Sequence, residues 1–130
     1  MKSILFLMLL LLSLSCSEPL DPSASLALEG KWVDQVTTTD TLEFLKFDDG
    51  STLMNLSRGR EISNGQNLPK IGSGPYTYTL GENSISLQYS LSSNWNPTKY
   101  YFQQNALELK IGRFFDSKNS VSILTFRKIK

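Results

Sequence analysis

After residue 30 the chain alternates between apolar and polar positions with a period of two, which is typical of half-buried β-strands. The clearest alternation covers residues 76–80 and, after the turn Gly81-Glu82-Asn83, residues 85–91. Further strands are predicted over residues 31–38, 41–47, 51–57, 98–103, 106–111 and 121–128. No stretch after residue 30 keeps a long helical period. The pattern therefore predicts eight strands and an all-β fold.

The connections between the predicted strands are short, with one exception. Asp48-Asp49-Gly50 is a strong hairpin signal because glycine accepts a positive φ. Residues 58–75 lose the alternation and are rich in glycine, asparagine and proline, which indicates either a long functional loop or an irregular strand pair with a bulge. Eight consecutive strands favour an antiparallel up-and-down barrel, because closure leaves no exposed sheet edge. A β-sandwich is the alternative.

The same periodicity predicts which side chains face the interior. The predicted inner positions are Leu45, Phe47, Tyr76, Tyr78, Leu80, Ile85, Leu87, Tyr89, Tyr100, Phe102, Leu107, Leu109, Ile111, Leu124 and Phe126. Each of the four tyrosine hydroxyls needs a hydrogen-bond partner, since a buried unpaired hydroxyl costs about 1–3 kcal/mol. The tyrosines therefore favour a polar-lined cavity or an opening that solvent can reach, although they can also simply fill the core.

In a meander the connections alternate between the two ends of the barrel. The connections near residues 39–40, 58–75, 92–97 and 116–120 thus share one end, where a binding site is expected. Trp95 lies in one of these loops between two asparagines, and Phe114-Phe115 is a second aromatic candidate for the rim. Trp95 can instead fold back onto the barrel. The candidate ligand-binding residues are Tyr76, Tyr78, Tyr89, Tyr100 and Trp95.

The N-terminal segment predicts export. Lys2 precedes an apolar run over residues 4–12, which is too short to span a bilayer and is typical of a signal peptide. Ser15-Cys16 at its end resembles the bacterial lipobox, which implies a lipid on Cys16 and a lipoprotein of the cell envelope. Ser17 after the cysteine favours the outer membrane; ordinary secretion is the alternative. The predicted organisation is a signal peptide (residues 1–15), a flexible tether (16–25) and a barrel domain (26–130).

Composition removes several classes of function. The chain has no histidine and one cysteine, which excludes in-chain disulfides, Cys/His metal sites and catalytic dyads that use histidine. Lys and Arg number 13 against 12 Asp and Glu, so a nucleic-acid partner is not expected. No catalytic residue, metal ligand or cofactor is assigned, and the protein is expected to be a monomer and not an enzyme.

Three short motifs resemble those of a small bacterial lipocalin-like domain: Gly30-x-Trp32 in the first strand, Leu45-x-Phe47 in the second and Phe126-Arg127 in the last. The resemblance implies a lipocalin-like barrel that holds a small amphipathic or hydrophobic molecule at its open end. It also implies that Arg127 covers Trp32 and closes the barrel. The alternative function is a structural or interaction lipoprotein, with a packed interior and rim loops that contact a protein or a glycan.

Overall fold

The computed structural model describes residues 28–116, 118 and 122–129, which form β-strands and no helix. The expected all-β class is therefore confirmed. The strands are β1 (Gly30–Asp34), β2 (Thr41–Lys46), β3 (Thr52–Ser57), β4 (Arg60–Ser63), β5 (Gln66–Pro69), β6 (Gly74–Gly81), β7 (Ser84–Tyr89), β8 (Thr98–Gln104), β9 (Glu108–Gly112) and β10 (Ile123–Ile129). The predicted signal peptide, Cys16 and the tether lie outside the described residues. Within the described part, no helix is long and apolar enough to cross a membrane.

Eight of the strands close into one antiparallel barrel in the order β1-β10-β9-β8-β7-β6-β3-β2. Closure occurs at β1, where Trp32 lies opposite Leu42 of β2 on one side and opposite Lys128 of β10 on the other. This is the up-and-down barrel that the alternation predicts. The remaining two strands, β4 and β5, pair only with each other. Residues 58–75 thus contain a strand pair, the second of the two interpretations of that segment.

Apolar side chains fill the barrel. The largest fully buried side chains are Trp32, Leu42, Met54, Leu56, Ile85, Leu109, Ile111 and Phe126. An eight-stranded barrel is just wide enough for its own side chains to fill it. The closed sheet and this core both lie within residues 28–129, so the barrel has its own core without the N-terminal segment.

The predicted inner face is wrong at four positions. In β2 the inward side chains are Leu42 and Phe44, whereas Leu45 is 36% exposed and Phe47, directly after the strand, is 48% exposed. The register explains this: Leu42 lies opposite the buried Trp32, so the alternate residues Leu42 and Phe44 point inward. Leu80 and Leu107 are also exposed, because Leu80 lies near the end of β6 and Leu107 lies in the turn before β9.

The basic residue over Trp32 is Lys128, where the resemblance implies Arg127. The Lys128 Nζ lies 5.3 Å from the centroid of the Trp32 ring. Arg127 is opposite Val33, one position further along the ladder, so its side chain points to the other face of the sheet. The first and last strands meet as expected, but the cation comes from the neighbouring residue.

Candidate functional site: the mouth cleft

The two ends of the barrel differ, as the meander predicts. One end carries the long connections, with residues 35–40, 58–73, 90–97 and, after β9, 113–116; we call this end the mouth. The other end carries the short turns at residues 47–51, 82–83 and 105–107, together with the start of β1. The short turn after β2 is fixed by Asp49, whose carboxylate accepts hydrogen bonds from the Ser51 amide (2.9 Å) and hydroxyl (2.6 Å), and these bonds lower the pKa of Asp49.

A solvent-open cleft of about 470 Å³ lies at the mouth, and we call it the mouth cleft. It is lined by Ile71, Gly72, Tyr76, Leu87, Gln88, Tyr89, Ser92, Asn94, Asn96, Thr98, Tyr100, Phe114 and Phe115. These residues come from β6, β7, β8 and three of the four mouth connections. The volume falls within the range of about 300–1,000 Å³ that is usual for small-molecule sites.

Aromatic rings form one wall of the mouth cleft. The Phe114 ring packs edge-on against Tyr76, with centroids 5.1 Å apart, and against Tyr100 at 6.1 Å. Tyr76 also packs against Tyr89 at 5.1 Å in a tilted arrangement. Edge-to-face pairs at these distances are favourable beyond the area they bury. The wall is therefore an ordered apolar surface at the point where the packed interior ends.

The tyrosine hydroxyls connect the mouth loops to the barrel through hydrogen bonds. The hydroxyl of Tyr76 donates to the carbonyl of Gly72 (2.7 Å), that of Tyr89 to Ser73 (3.2 Å) and that of Tyr100 to Phe114 (3.4 Å). These bonds supply the partners that tyrosine rather than phenylalanine requires. Burial raises the pKa of Tyr76 to about 12, so this hydroxyl keeps its proton and remains a donor near neutral pH.

Three of the four predicted tyrosines therefore meet at the mouth cleft, and Tyr78 does not. Tyr78 lies deeper along β6, where its ring packs edge-on against Phe44 at 5.5 Å. Burial raises the pKa of Tyr78 as well, while a hydrogen bond with Thr52 acts in the opposite direction. Tyr78 belongs to the core.

Trp95 is 78% exposed and does not line the mouth cleft, although its neighbours Asn94 and Asn96 do. The loop around it is held by local hydrogen bonds. The backbone N–H of Asn94 donates to the Ser92 hydroxyl (3.0 Å), and the backbone N–H of Asn96 donates to the side-chain oxygen of Asn94 (3.1 Å). These bonds hold the loop beside the cleft and leave the indole ring in solvent.

A clamp of residues from two loops sets the position of Phe115, which sequence reasoning placed only on the rim. The guanidinium of Arg58 lies 4.0 Å from the Phe115 centroid, pairs with the Asp40 carboxylate (3.0 Å) and donates to the Ile71 carbonyl (2.7 Å). On the other side, a Cβ on Gly72 would lie 2.4 Å from the Phe115 Cβ. Only glycine fits there.

Phe115 also separates the mouth cleft from a second cavity of about 320 Å³. The two differ in charge. The second cavity contains Asp34, Asp40, Arg58 and Arg113 among its lining residues. The described residues that line the mouth cleft are all neutral: some are aromatic or aliphatic, and others carry an amide or a hydroxyl group.

Periodicity could not reveal this neutral lining, because the lining depends on which loop residues fold back over the strands.

Among the described residues, no group of three or more histidines, cysteines or acidic residues could hold a metal ion. Comparisons with protein-family models, with curated proteins and with solved structures find no match for this chain. The cleft is therefore interpreted from its own residues.

Proposed function

We propose that this protein is a binding module whose mouth cleft takes a small, uncharged amphipathic molecule. The observation that carries the proposal is the lining of the cleft: one aromatic wall, several amide and hydroxyl groups and, within the described part of the chain, no charged side chain. An eight-stranded barrel with one elaborated end is compatible with a lipocalin-like binding fold. The proposal includes no catalytic step and no cofactor.

The two kinds of lining residue suit the two parts of an amphipathic molecule. The rings of Tyr100 and Phe114 and the side chain of Leu87 can cover an apolar part. The side-chain amides of Asn94 and Asn96 can donate and accept hydrogen bonds with hydroxyl or amide groups. A charged ligand would lose its hydration without gaining an opposite charge, which is unfavourable.

The filled barrel interior limits where a ligand can sit. Because Trp32, Met54 and Phe126 are fully buried, the proposed site is a cleft above the core. The packed core and the exposed Trp95 also favour a second candidate function, in which the mouth loops contact a protein or a glycan. Binding of a small probe in the cleft separates the two.

We test the proposal with n-octyl β-D-glucoside, kept below the concentration at which it forms micelles, by titration calorimetry. The neutral glucoside should bind more tightly than octanoate and octylamine, which have the same chain length and opposite charges. Thr98 lines the cleft and is exposed, so Thr98→Trp should fill it and weaken binding by about tenfold or more. Thr79→Trp, at an exposed position of β6 outside the cleft, is the matched control.

Two results would count against the proposal: equal binding of all three probes, or an equal effect of the two tryptophan substitutions. Either would mean that association depends on the alkyl chain and not on the lining of the cleft.

We also propose that Cys16 carries a lipid that tethers the domain to the cell envelope at the outer membrane, as the lipobox resemblance implies. Cys16→Ala should move the protein from the membrane fraction to the soluble fraction without changing the thermal unfolding of the barrel. Sedimentation of cell extracts measures this; a variant that still sediments with membranes would refute lipid tethering.

A further inference from the structure

Most of the highly exposed large apolar side chains in the described part of the chain lie at the mouth. Val36, Ile62, Ile71, Leu91 and Trp95 are between 73 and 86% exposed, and all five lie in the mouth connections or on the hairpin within them. The short-turn end has one side chain in this range, Leu107 at 75%. A cluster of exposed apolar groups usually marks an interaction surface.

These side chains surround the two cavity openings. Ile71 lines the mouth cleft, Val36 lines the second cavity, and Phe115 lies between the two. Ile123, which is also exposed, extends the second opening. Leu91 and Trp95 lie in the loop of residues 90–97, whose Ser92, Asn94 and Asn96 line the mouth cleft. We call Val36, Ile62, Ile71, Leu91, Trp95 and Ile123 the apolar rim.

Charge is distributed unevenly between the two ends. The exposed cations Arg60, Lys99 and Lys118 lie at the mouth, where Glu61 is the exposed acid. At the opposite end the four exposed acids, Glu29, Asp48, Asp49 and Glu82, are balanced by four exposed cations, Lys31, Lys46, Arg127 and Lys128. Among the described residues, the exposed charges are therefore mainly cationic at the mouth, beside the apolar side chains, and balanced at the opposite end.

We propose that the mouth docks on a lipid bilayer that contains anionic headgroups, with the apolar rim inserted at the interface. The side chains of the apolar rim belong to several separate connections. Such separate side chains can each insert into a fluid bilayer, whereas a protein interface requires one close-packed surface. Tryptophan is the residue type enriched at membrane–water interfaces, and cations beside it attract anionic lipids. Docking goes beyond ligand binding: it places the cleft at the surface where amphipathic molecules collect.

The test uses the chain from Ser17 onward, which lacks the leader and Cys16 and retains the complete barrel. It is mixed with vesicles of phosphatidylcholine alone or with an equal part of phosphatidylglycerol. We expect binding to the anionic vesicles, a blue shift of Trp95 fluorescence, and weaker binding at high salt because added salt screens the headgroup charge. Trp32 is buried and should not contribute to the shift.

The matched variants are Leu91→Ser at the mouth and Leu107→Ser at the opposite end, since the two leucines are almost equally exposed. Leu91→Ser combined with Trp95→Ser should weaken vesicle binding by about tenfold or more, and Leu107→Ser should leave it unchanged. No binding to anionic vesicles, or equal weakening by Leu107→Ser, overturns the proposal. A dimer lost on the mouth substitutions, without vesicle binding, would identify a second copy of the chain as the occupant and also overturn it.

Discussion

Phe115 is the residue on which the shape of the mouth depends. The Arg58 guanidinium contacts its ring on one side, and the backbone at Gly72 contacts its Cβ on the other. Because Phe115 lies between the two cavities, a shift of its ring would change both openings. The sequence shows that Gly72 and Phe115 are present, but the two are 43 positions apart and no local pattern predicts their contact.

We predict that Gly72→Ala lowers the free energy of unfolding by about 2–3 kcal/mol. The new methyl group would overlap Phe115, and the residue has a φ of +86°, where alanine is strained. Gly65→Ala is the control, since Gly65 has a φ of +77° and its added Cβ meets nothing within 4 Å. The control should cost about 1 kcal/mol, from backbone strain alone. Urea unfolding measures both; equal losses would mean that the contact with Phe115 is unimportant.

The cation that lies over Trp32 at the barrel closure was predicted by its charge but not by its position. The resemblance implies a cation over Trp32, and a cation is found there, but it is Lys128. Neighbouring residues of a strand point to opposite faces, so the ladder register decides which one covers the ring. The register depends on the pairing of β1 with β10, whose partners, such as Lys31 and Ile129, lie about three-quarters of the chain length apart.

At the level of elements, β2 is the strand whose orientation the sequence leaves open. Residues 42–47 read Leu-Glu-Phe-Leu-Lys-Phe, so both alternating sets contain one leucine and one phenylalanine. Periodicity predicts that a strand is present but cannot select its face in such a case. The pairing of Leu42 with the region of Trp32 selects Leu42 and Phe44 for the core.

This orientation predicts a large difference between two leucines of one strand. Leu42→Ala should lower the free energy of unfolding by about 2–5 kcal/mol, because it leaves a cavity in the core. Leu45→Ala, on the outer face and partly exposed, should cost less than about 1 kcal/mol. Chemical denaturation of both variants tests the assignment. A larger loss for Leu45→Ala would mean that the other face of β2 is buried.

The sequence contains a signal for the β4–β5 hairpin, the pair Asn64-Gly65 at its turn. Asn64 and Gly65 both have positive φ, at 51° and 77°, as a tight two-residue hairpin turn requires. An Asn-Gly pair is the strongest short-range sign of such a turn. The flanking residues lack a clear alternation because all eight positions of the two strands are exposed. A strand with no buried face gives no periodic pattern.

For the whole molecule, the number of barrel strands, their order and the division into two ends follow from the sequence; the separate β4–β5 pair makes ten strands where eight were predicted. They depend on regular alternation and on turn signals, which are local. The mouth cleft does not follow in the same way, because its neutral lining depends on how loops 90–97 and 113–116 fold over β7 and β8. The sequence predicted the end at which the cleft lies and three of the tyrosines that line it, while the contribution of Leu87, Asn94, Asn96 and Thr98 needed the structure.

The central claim is that a small uncharged amphipath occupies the mouth cleft, and nuclear Overhauser effects between protein and bound probe test it most directly. With n-octyl β-D-glucoside, we predict contacts from the alkyl chain to the ring protons of Tyr100 and Phe114, and from the glucose to the side-chain amides of Asn94 and Asn96. No contact to Trp32 is predicted, since it lies in the packed core. Contacts confined to the short-turn end or to the outer faces of the strands would contradict the account.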